Sequence, residues 1–289
     1  MTGASASSGA RTSTGAPPAG GVPFVKGHGT ENDFVLLPDP DGTLQVTAGQ
    51  VRAVCDRHAG LGADGIIRVA PVQPGSDAAF VMDYRNADGS FAQMCGNGAR
   101  VFARFLVDSG WVSPGGLRFS TRGGVRTADV PAVGDVTIGV GPVTIGRPST
   151  ARIGEREIAG VSVDVGNPHL ACLTDIDLAS VDLSVPPRYD ELGFPEGVNI
   201  EIITSTGPDQ IRMRVHERGV GETRSCGTGT VAAAAAYLQA NERSTGTVSV
   251  SVPGGAVTVT ITDEDSTLTG PAVLVAFGTI DDAFWQRHR

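Results

Sequence analysis

The 289-residue chain has little of what would send it to a membrane, a nucleic acid or an oxidising compartment. No apolar run approaches the roughly 20 residues needed to span a bilayer. No basic cluster occurs, and 31 Asp and Glu outweigh 22 Lys and Arg, for a formal charge of -9. Nothing in that balance would neutralise phosphates, so nucleic acid and anionic membrane surfaces are excluded as general partners. There are only four cysteines, Cys55, Cys95, Cys172 and Cys226, and no Cys-x-x-Cys. Neither a zinc site nor a dithiol redox motif has its usual spacing, and in a reducing compartment the four read as free thiols. Residues 1–21 are almost entirely Gly, Ala, Ser, Thr and Pro. They lack the apolar core of a signal peptide and cannot bury enough surface to fold, which predicts a disordered tail and a cytoplasmic protein.

What the chain does have is glycine, 40 residues or about twice the usual share, and so many tight turns between short elements. Alternating and apolar runs predict strands around Val22–Leu37, Gly65–Val69 and Phe80–Arg85, then short strands from Leu117 to Val165. Hairpins are predicted about Thr206-Gly207-Pro208-Asp209 and Pro253-Gly254-Gly255, and a further one at Asn86-Ala87-Asp88-Gly89. Helices are predicted over Ala48–His58 and after two of the cysteines.

Those two cysteines sit in variants of one unit. Met94-Cys95-Gly96-Asn97-Gly98 leads into Ala99–Leu106, and Ser225-Cys226-Gly227-Thr228-Gly229 leads into Val231–Leu238. A thiol at a helix start feels the positive end of the dipole and the unpaired first-turn amides, both of which favour thiolate. A Gly/Asn loop with a histidine precedes each unit, His28 in one half and His169 in Gly166-Asn167-Pro168-His169 in the other. This duplication predicts an α/β fold (α+β type) of two pseudo-symmetric lobes, each a mixed barrel-like sheet around a central helix, with the active site in the cleft between them.

A small amino acid held in such a cleft would place its α-carboxylate against the amides of Gly96 and Asn97 on one side and Gly227 and Thr228 on the other. Cys95 and Cys226 would then face opposite sides of the α-carbon, one removing the proton and the other returning one from behind. The other thiols, Cys55 and Cys172, read as small buried hydrophobes. His28 reads as ordering its turn. Arg100 and Arg104, one turn apart, read as a solvated helix face. Asparagines in Gly-rich loops are ordinarily turn formers, and the residues alone leave a pocket role open.

At these positions the chain resembles diaminopimelate epimerase. The matching blocks are His28-Gly29-Thr30-Glu31-Asn32-Asp33-Phe34, Asn86-Ala87-Asp88-Gly89-Ser90, Cys95-Gly96-Asn97-Gly98-Ala99-Arg100, Gly166-Asn167-Pro168-His169, Val198-Asn199, and Glu217 to Thr223 leading to Cys226-Gly227-Thr228-Gly229. Thr30-Glu31, Gly65 and Met94 depart from the family pattern. The resemblance implies conversion of LL- to meso-diaminopimelate without PLP, metal or other cofactor, in lysine and peptidoglycan-precursor synthesis. It implies Cys226 as proton acceptor and Cys95 as donor, with His169 and Glu217 supporting. Asn32, Asn86, Asn167, Asn199, Glu217 and Arg218 would line the pocket. It also implies a homodimer, and a first lobe of residues 22–140 plus 271–289 beside a second of 141–270. A proline or hydroxyproline racemase shares the two-thiol logic, a thiol redox sensor would use the same cysteines as a disulfide, and a pure amino-acid-binding module would not need them.

Overall fold

The computed structural model describes residues 20–72 and 75–289. The tail predicted for residues 1–21 lies, up to residue 19, outside the described residues, and Gly21 already opens the first strand. The first half runs β1 (Gly21–Gly29), β2 (Asn32–Pro38), α1 (Ala48–Cys55), β3 (Gly65–Pro71), β4 (Phe80–Asn86), α2 (Gly96–Asp108), β5 (Gly115–Thr121), β6 (Gly124–Val130) and β7 (Val136–Gly139). The second runs β8 (Thr144–Ile153), β9 (Arg156–Asp164), β10 (Pro168–Leu173), β11 (Arg188–Tyr189), β12 (Asn199–Gly207), β13 (Gln210–Glu217) and β14 (Gly221–Thr223). It continues through α3 (Gly227–Ala240), β15 (Gly246–Val252), β16 (Gly255–Ile261), β17 (Ser266–Gly270), β18 (Val273–Asp281) and α4 (Asp282–Arg287).

Strand pairing repeats between the two lobes. In the first, β1–β2 is antiparallel, β2–β3 parallel, β3–β4 antiparallel, β4–β5 parallel across α2, and β5–β6–β7 antiparallel. In the second, β9–β10, β10–β12, β12–β13, β13–β15 across α3, and β15–β16–β17 follow the same sequence of directions. β8 backs β9 as β18 backs β1, and β7 pairs with β17 to join the lobes edge to edge. Register fixes the correspondences. Phe34 pairs with Gly65 and Gly65 with Asn86, as His169 pairs with Asn199. Ile200 pairs with His216, so Asn199 lies level with Glu217. The counterpart of His169 is therefore Phe34, not His28 as the loops suggested. His28 is the penultimate residue of β1 and its Nδ1 accepts the Glu31 amide at 3.3 Å.

Each central helix is wrapped by its sheet. Around α2 pack Phe34, Leu36, Ile67, Val69, Met82, Phe119, Val130 and Ile138. Around α3 pack Ile203, Met213, Val215, Val248, Val250 and Val259. The alanines at 232–236 are all buried, because a helix enclosed on every side needs small residues for the strands to close upon it. Enclosure also overturns the reading of Arg100 and Arg104 as solvated. Arg100 is fully buried, with Nε donating to Pro271 O and Nη2 to Thr30 Oγ1, and Arg104 donates to the carbonyls of Pro131 and Gly134.

Two predicted elements end early. α1 stops at Cys55 rather than His58, because the Asp56 carboxylate accepts the amides of His58 and Ala59 and turns the chain. The Asn86–Gly89 turn closes, with Gly89 at φ +88°, but only one bridge, Arg85 to Phe91, follows it before the chain leaves for Cys95.

Candidate active site

The two helix starts meet. A methyl built on Gly227 would stand 3.0 Å from Gly96 Cα and 3.3 Å from Asn97 N, so the first turns of α2 and α3 touch backbone to backbone. Glycine at 227 is what allows this approach, since a side chain there would meet backbone of the facing helix. Cys95 and Cys226 are the N-caps of these helices, each one residue from the contact. Asn97 stitches the seam: buried, it donates through Nδ2 to Ser225 O and Oγ, both at 3.1 Å, and to Asn32 Oδ1 at 3.3 Å. Thr30 Oγ1 lies 2.7 Å from Ser225 Oγ, and Arg224 pairs with Glu31 across the lobes. Thr30 and Glu31 both take left-handed conformations, φ 50° and 60°. A strained β-branched residue there is held by contacts on both lobes.

On the Cys95 side, Asn32 is fixed at both ends. Its Nδ2 donates to Asp64 Oδ2 at 2.7 Å, and its Oδ1 accepts from the Cys95 thiol at 3.5 Å. Arg57 in turn bridges Asp33 and Asp64, both at 2.8 Å. Cys95 Sγ also accepts the Gly98 amide at 3.4 Å, the cap interaction its position calls for. Asn86 is at the end of β4 beside Gly65, with Nδ2 donating to Ser90 Oγ.

On the Cys226 side, the thiol lies 3.6 Å from Thr228 Oγ1 and feels the charge of Glu217. The Glu217 carboxylate also accepts from Thr223 Oγ1. Asn199 Oδ1 accepts the Arg218 amide at 3.0 Å, which sets the turn that presents Glu217. The Arg218 side chain is exposed, donates to Glu196 O, and lines a groove of about 430 Å3 with Tyr189, His216 and Val220 on the outer side of this turn. His169 is completely buried, its Nδ1 2.7 Å from Glu201 Oε1 and its Nε2 3.1 Å from Asn167 Oδ1.

The helix starts were expected to depress both thiols, and the structure reverses the sign. Burial pushes the Cys95 thiol up to about 11 and the Cys226 thiol well above its ordinary value, with the charge of Glu217 acting the same way on both. The Gly98 and Asn97 amides pull Cys95 back without prevailing. Burial likewise lifts the carboxyl of Glu217, against the hydrogen bond from Thr223. Cys55 and Cys172 are core thiols, each raised to about 12 by burial.

The geometry thus gathers Cys95, Asn32, Gly96 and Asn97 from one lobe and Cys226, Gly227, Thr228 and Glu217 from the other. Sequence reasoning missed Thr30, Ser225 and Glu201. The last carried a signal, a lone carboxylate inside the apolar strand Val198-Asn199-Ile200-Glu201-Ile202-Ile203.

Solved structures place this architecture among two-lobed proteins of one fold. It matches a phenazine biosynthesis protein of the PhzF family from Bacillus anthracis (TM-score 0.69, 14% identity, 90% of this chain and 98% of that one). It also matches a hydroxyproline epimerase from Agrobacterium vitis (TM-score 0.68, 15% identity, 92% and 94%). Sequence narrows the class. The diaminopimelate epimerase family model matches residues 24–146 and 161–275. A diaminopimelate epimerase of Rhodococcus erythropolis (strain PR4 / NBRC 100887) is 51% identical over 284 residues, 91% of this chain and 97% of that protein. One from Mycobacterium ulcerans (strain Agy99) is 51% identical over 287 residues, 92% and 99%. The chain belongs to the diaminopimelate epimerase family.

Proposed function

We propose that this protein interconverts LL- and meso-2,6-diaminopimelate without a cofactor, through a thiolate and a thiol on opposite faces of the α-carbon. The observation that carries this reading is the backbone contact between two helix starts, each capped by a cysteine. An α-carboxylate at that seam meets first-turn amides of both helices, which hold it and stabilise the charge it gains as the α-proton leaves.

Both thiols are protonated in the unliganded site, so ionisation accompanies binding. Cys226 passes its proton to Glu217, whose charge it feels, and the substrate ammonium offsets the negative charge left behind. The Cys226 thiolate takes the α-proton, and the Cys95 S–H, oriented by Asn32 Oδ1, delivers one from the other face. The meso-to-LL direction reverses these roles. Asn32, Asn86, Asn167, Asn199 and Arg218 line the pocket, and Arg218 swings from the Glu196 carbonyl to grip the distal carboxylate. Burial makes thiolate scarce in the free enzyme and strengthens every interaction once the site is closed.

The lobes divide near 140/141 and 270/271, a boundary supported by the return of β18 to β1. A homodimer is supported by β18, an edge strand that exposes Val275 and Phe277. The cytoplasm suits four free thiols. No described helix is long and apolar enough to cross a membrane. Incubation with LL-diaminopimelate and, separately, with L-proline and trans-4-hydroxy-L-proline tests the substrate. Meso product from the first alone supports the reading, and turnover of an imino acid without diaminopimelate turnover overturns it.

A further inference from the structure

Glu201 is an anomaly of the repeat. It lies two residues along β12 from Asn199 and pairs with Ala171, as Ile67 lies two residues along β3 from Gly65 and pairs with Leu36. Beneath Cys95, a methyl on Gly98 would meet Ile67, Met82 and Phe34, all apolar. Beneath Cys226, a methyl on the equivalent Gly229 would meet Glu201 Oε1 at 2.7 Å and Cys226 Sγ at 3.3 Å. The apolar pair Phe34 and Ile67 of one lobe is thus replaced in the other by His169 and Glu201, both fully buried. Among the described residues Glu201 Oε2 has no partner, and an unpaired buried carboxyl oxygen costs free energy that an isoleucine there would not. A pair retained at that cost, on one side of a duplicated site, needs a reason.

The hydrogen bonds supply it. Asn167 Oδ1 can only accept, so His169 Nε2 carries a hydrogen and donates to it. Nδ1 and Glu201 Oε1 then share a single proton at 2.7 Å, and burial favours the uncharged carboxyl. With its Oδ1 occupied, the Asn167 carboxamide has its two Nδ2 hydrogens left for other acceptors. Without a group at Nδ1, the neutral ring can move its proton to Nδ1 and leave Nε2 facing Asn167 Oδ1 lone pair to lone pair, which turns the carboxamide over.

We infer that Glu201 is a positioning residue, which fixes the Nε2–H form of His169 and through it holds Asn167 with its amide donors turned toward the substrate. This rests on the proposed function for its kinetic arm only. Glutamine can donate from Nε2 to Nδ1 and keep the arrangement, whereas methionine fills the space and cannot. Uniformly 15N-labelled protein is read by long-range 1H–15N correlation of the histidine rings, with His169 assigned by its loss in His169→Asn. The wild type and Glu201→Gln are expected to show His169 in one form with Nε2 protonated, and Glu201→Met a mixture or the Nδ1–H form. In epimerisation of LL-diaminopimelate, Glu201→Met is expected to raise KM on the order of tenfold with kcat changed less than threefold, and Glu201→Gln to stay within about twofold of wild type in both. An Nδ1–H ring in the wild type overturns the inference even if no variant folds. So does an unchanged Nε2–H ring in Glu201→Met, or a Glu201→Gln variant as impaired as Glu201→Met. A wild type with the Nε2–H ring but no diaminopimelate turnover would sink the functional reading and leave the positioning role standing.

Discussion

The contact between the helix starts makes two substitutions that look alike in the sequence differ in effect. A methyl on Gly227 would stand 3.0 Å from Gly96 Cα, 3.2 Å from Gly96 N and 3.3 Å from Asn97 N, all backbone atoms of the facing helix. Ordinary contact begins near 3.4 Å, so the helices must part by about 0.4 Å, with the seam bonds of Asn97 to Ser225 stretched in step. A methyl on Gly96 meets first the Leu268 side-chain tip at 3.1 Å, which can rotate away. Neither glycine has a positive φ, so alanine suits the local backbone at both. A misplacement of about 1 Å can cost about 100-fold in rate, and overpacking typically about 1–3 kcal/mol. Gly227→Ala should therefore lower kcat at least about tenfold, with a loss of about 1–3 kcal/mol in denaturant unfolding. Gly96→Ala should stay within about threefold in kcat, its squeeze offset by about 0.5–1 kcal/mol of helix propensity. The assay is the rate of meso product from LL-diaminopimelate, alongside urea melts. A fully active Gly227→Ala, or a Gly96→Ala variant worse than Gly227→Ala, would refute the claim that the helix starts must touch.

Two further outcomes follow from the charges. Glu217→Gln removes a negative charge that holds both thiols up, so iodoacetamide at pH 9 should modify Cys95 and Cys226 about tenfold faster than in wild type while epimerisation falls; slower modification would reverse the sign assigned to Glu217. Cys95, raised to about 11, and Cys55 and Cys172, raised to about 12, keep protons that the unfolded chain loses near pH 8.5 to 9. Their contribution to stability is full below that range and is lost as pH rises through 11 to 12, so thermal melts should fall steadily above pH 9 and less steeply in Cys55→Ala/Cys172→Ala; a flat profile to pH 11 would contradict the burial argument.

What was legible in the chain was local. Cys-Gly-x-Gly before an apolar run marks a helix start because N-cap geometry and close backbone approach are short-range demands, and α2 and α3 begin there. The hairpins at 206–209 and 253–255 were equally plain, since their turn residues carry the signal. What escaped reading depends on what surrounds a residue. Arg100 looks like a surface residue until the sheet closes around all sides of α2. A thiol at a helix start looks acidified until burial is counted, and burial is a property of both lobes together. The match of His28 with His169 rested on loop composition, whereas strand register pairs His169 with Phe34, and with that correction Glu201 stands out against Ile67.

The central claim is that one sulfur removes the α-proton and the other replaces it. Epimerisation of LL-diaminopimelate in deuterium oxide, stopped within the first tenth of the reaction, tests it most directly. The account predicts one deuteron at the inverted α-carbon of the meso product, almost none in the recovered LL substrate, and loss of inversion in both Cys95→Ser and Cys226→Ser. Equal deuterium in recovered substrate and product, or inversion at the wild-type rate with either cysteine replaced, would contradict it.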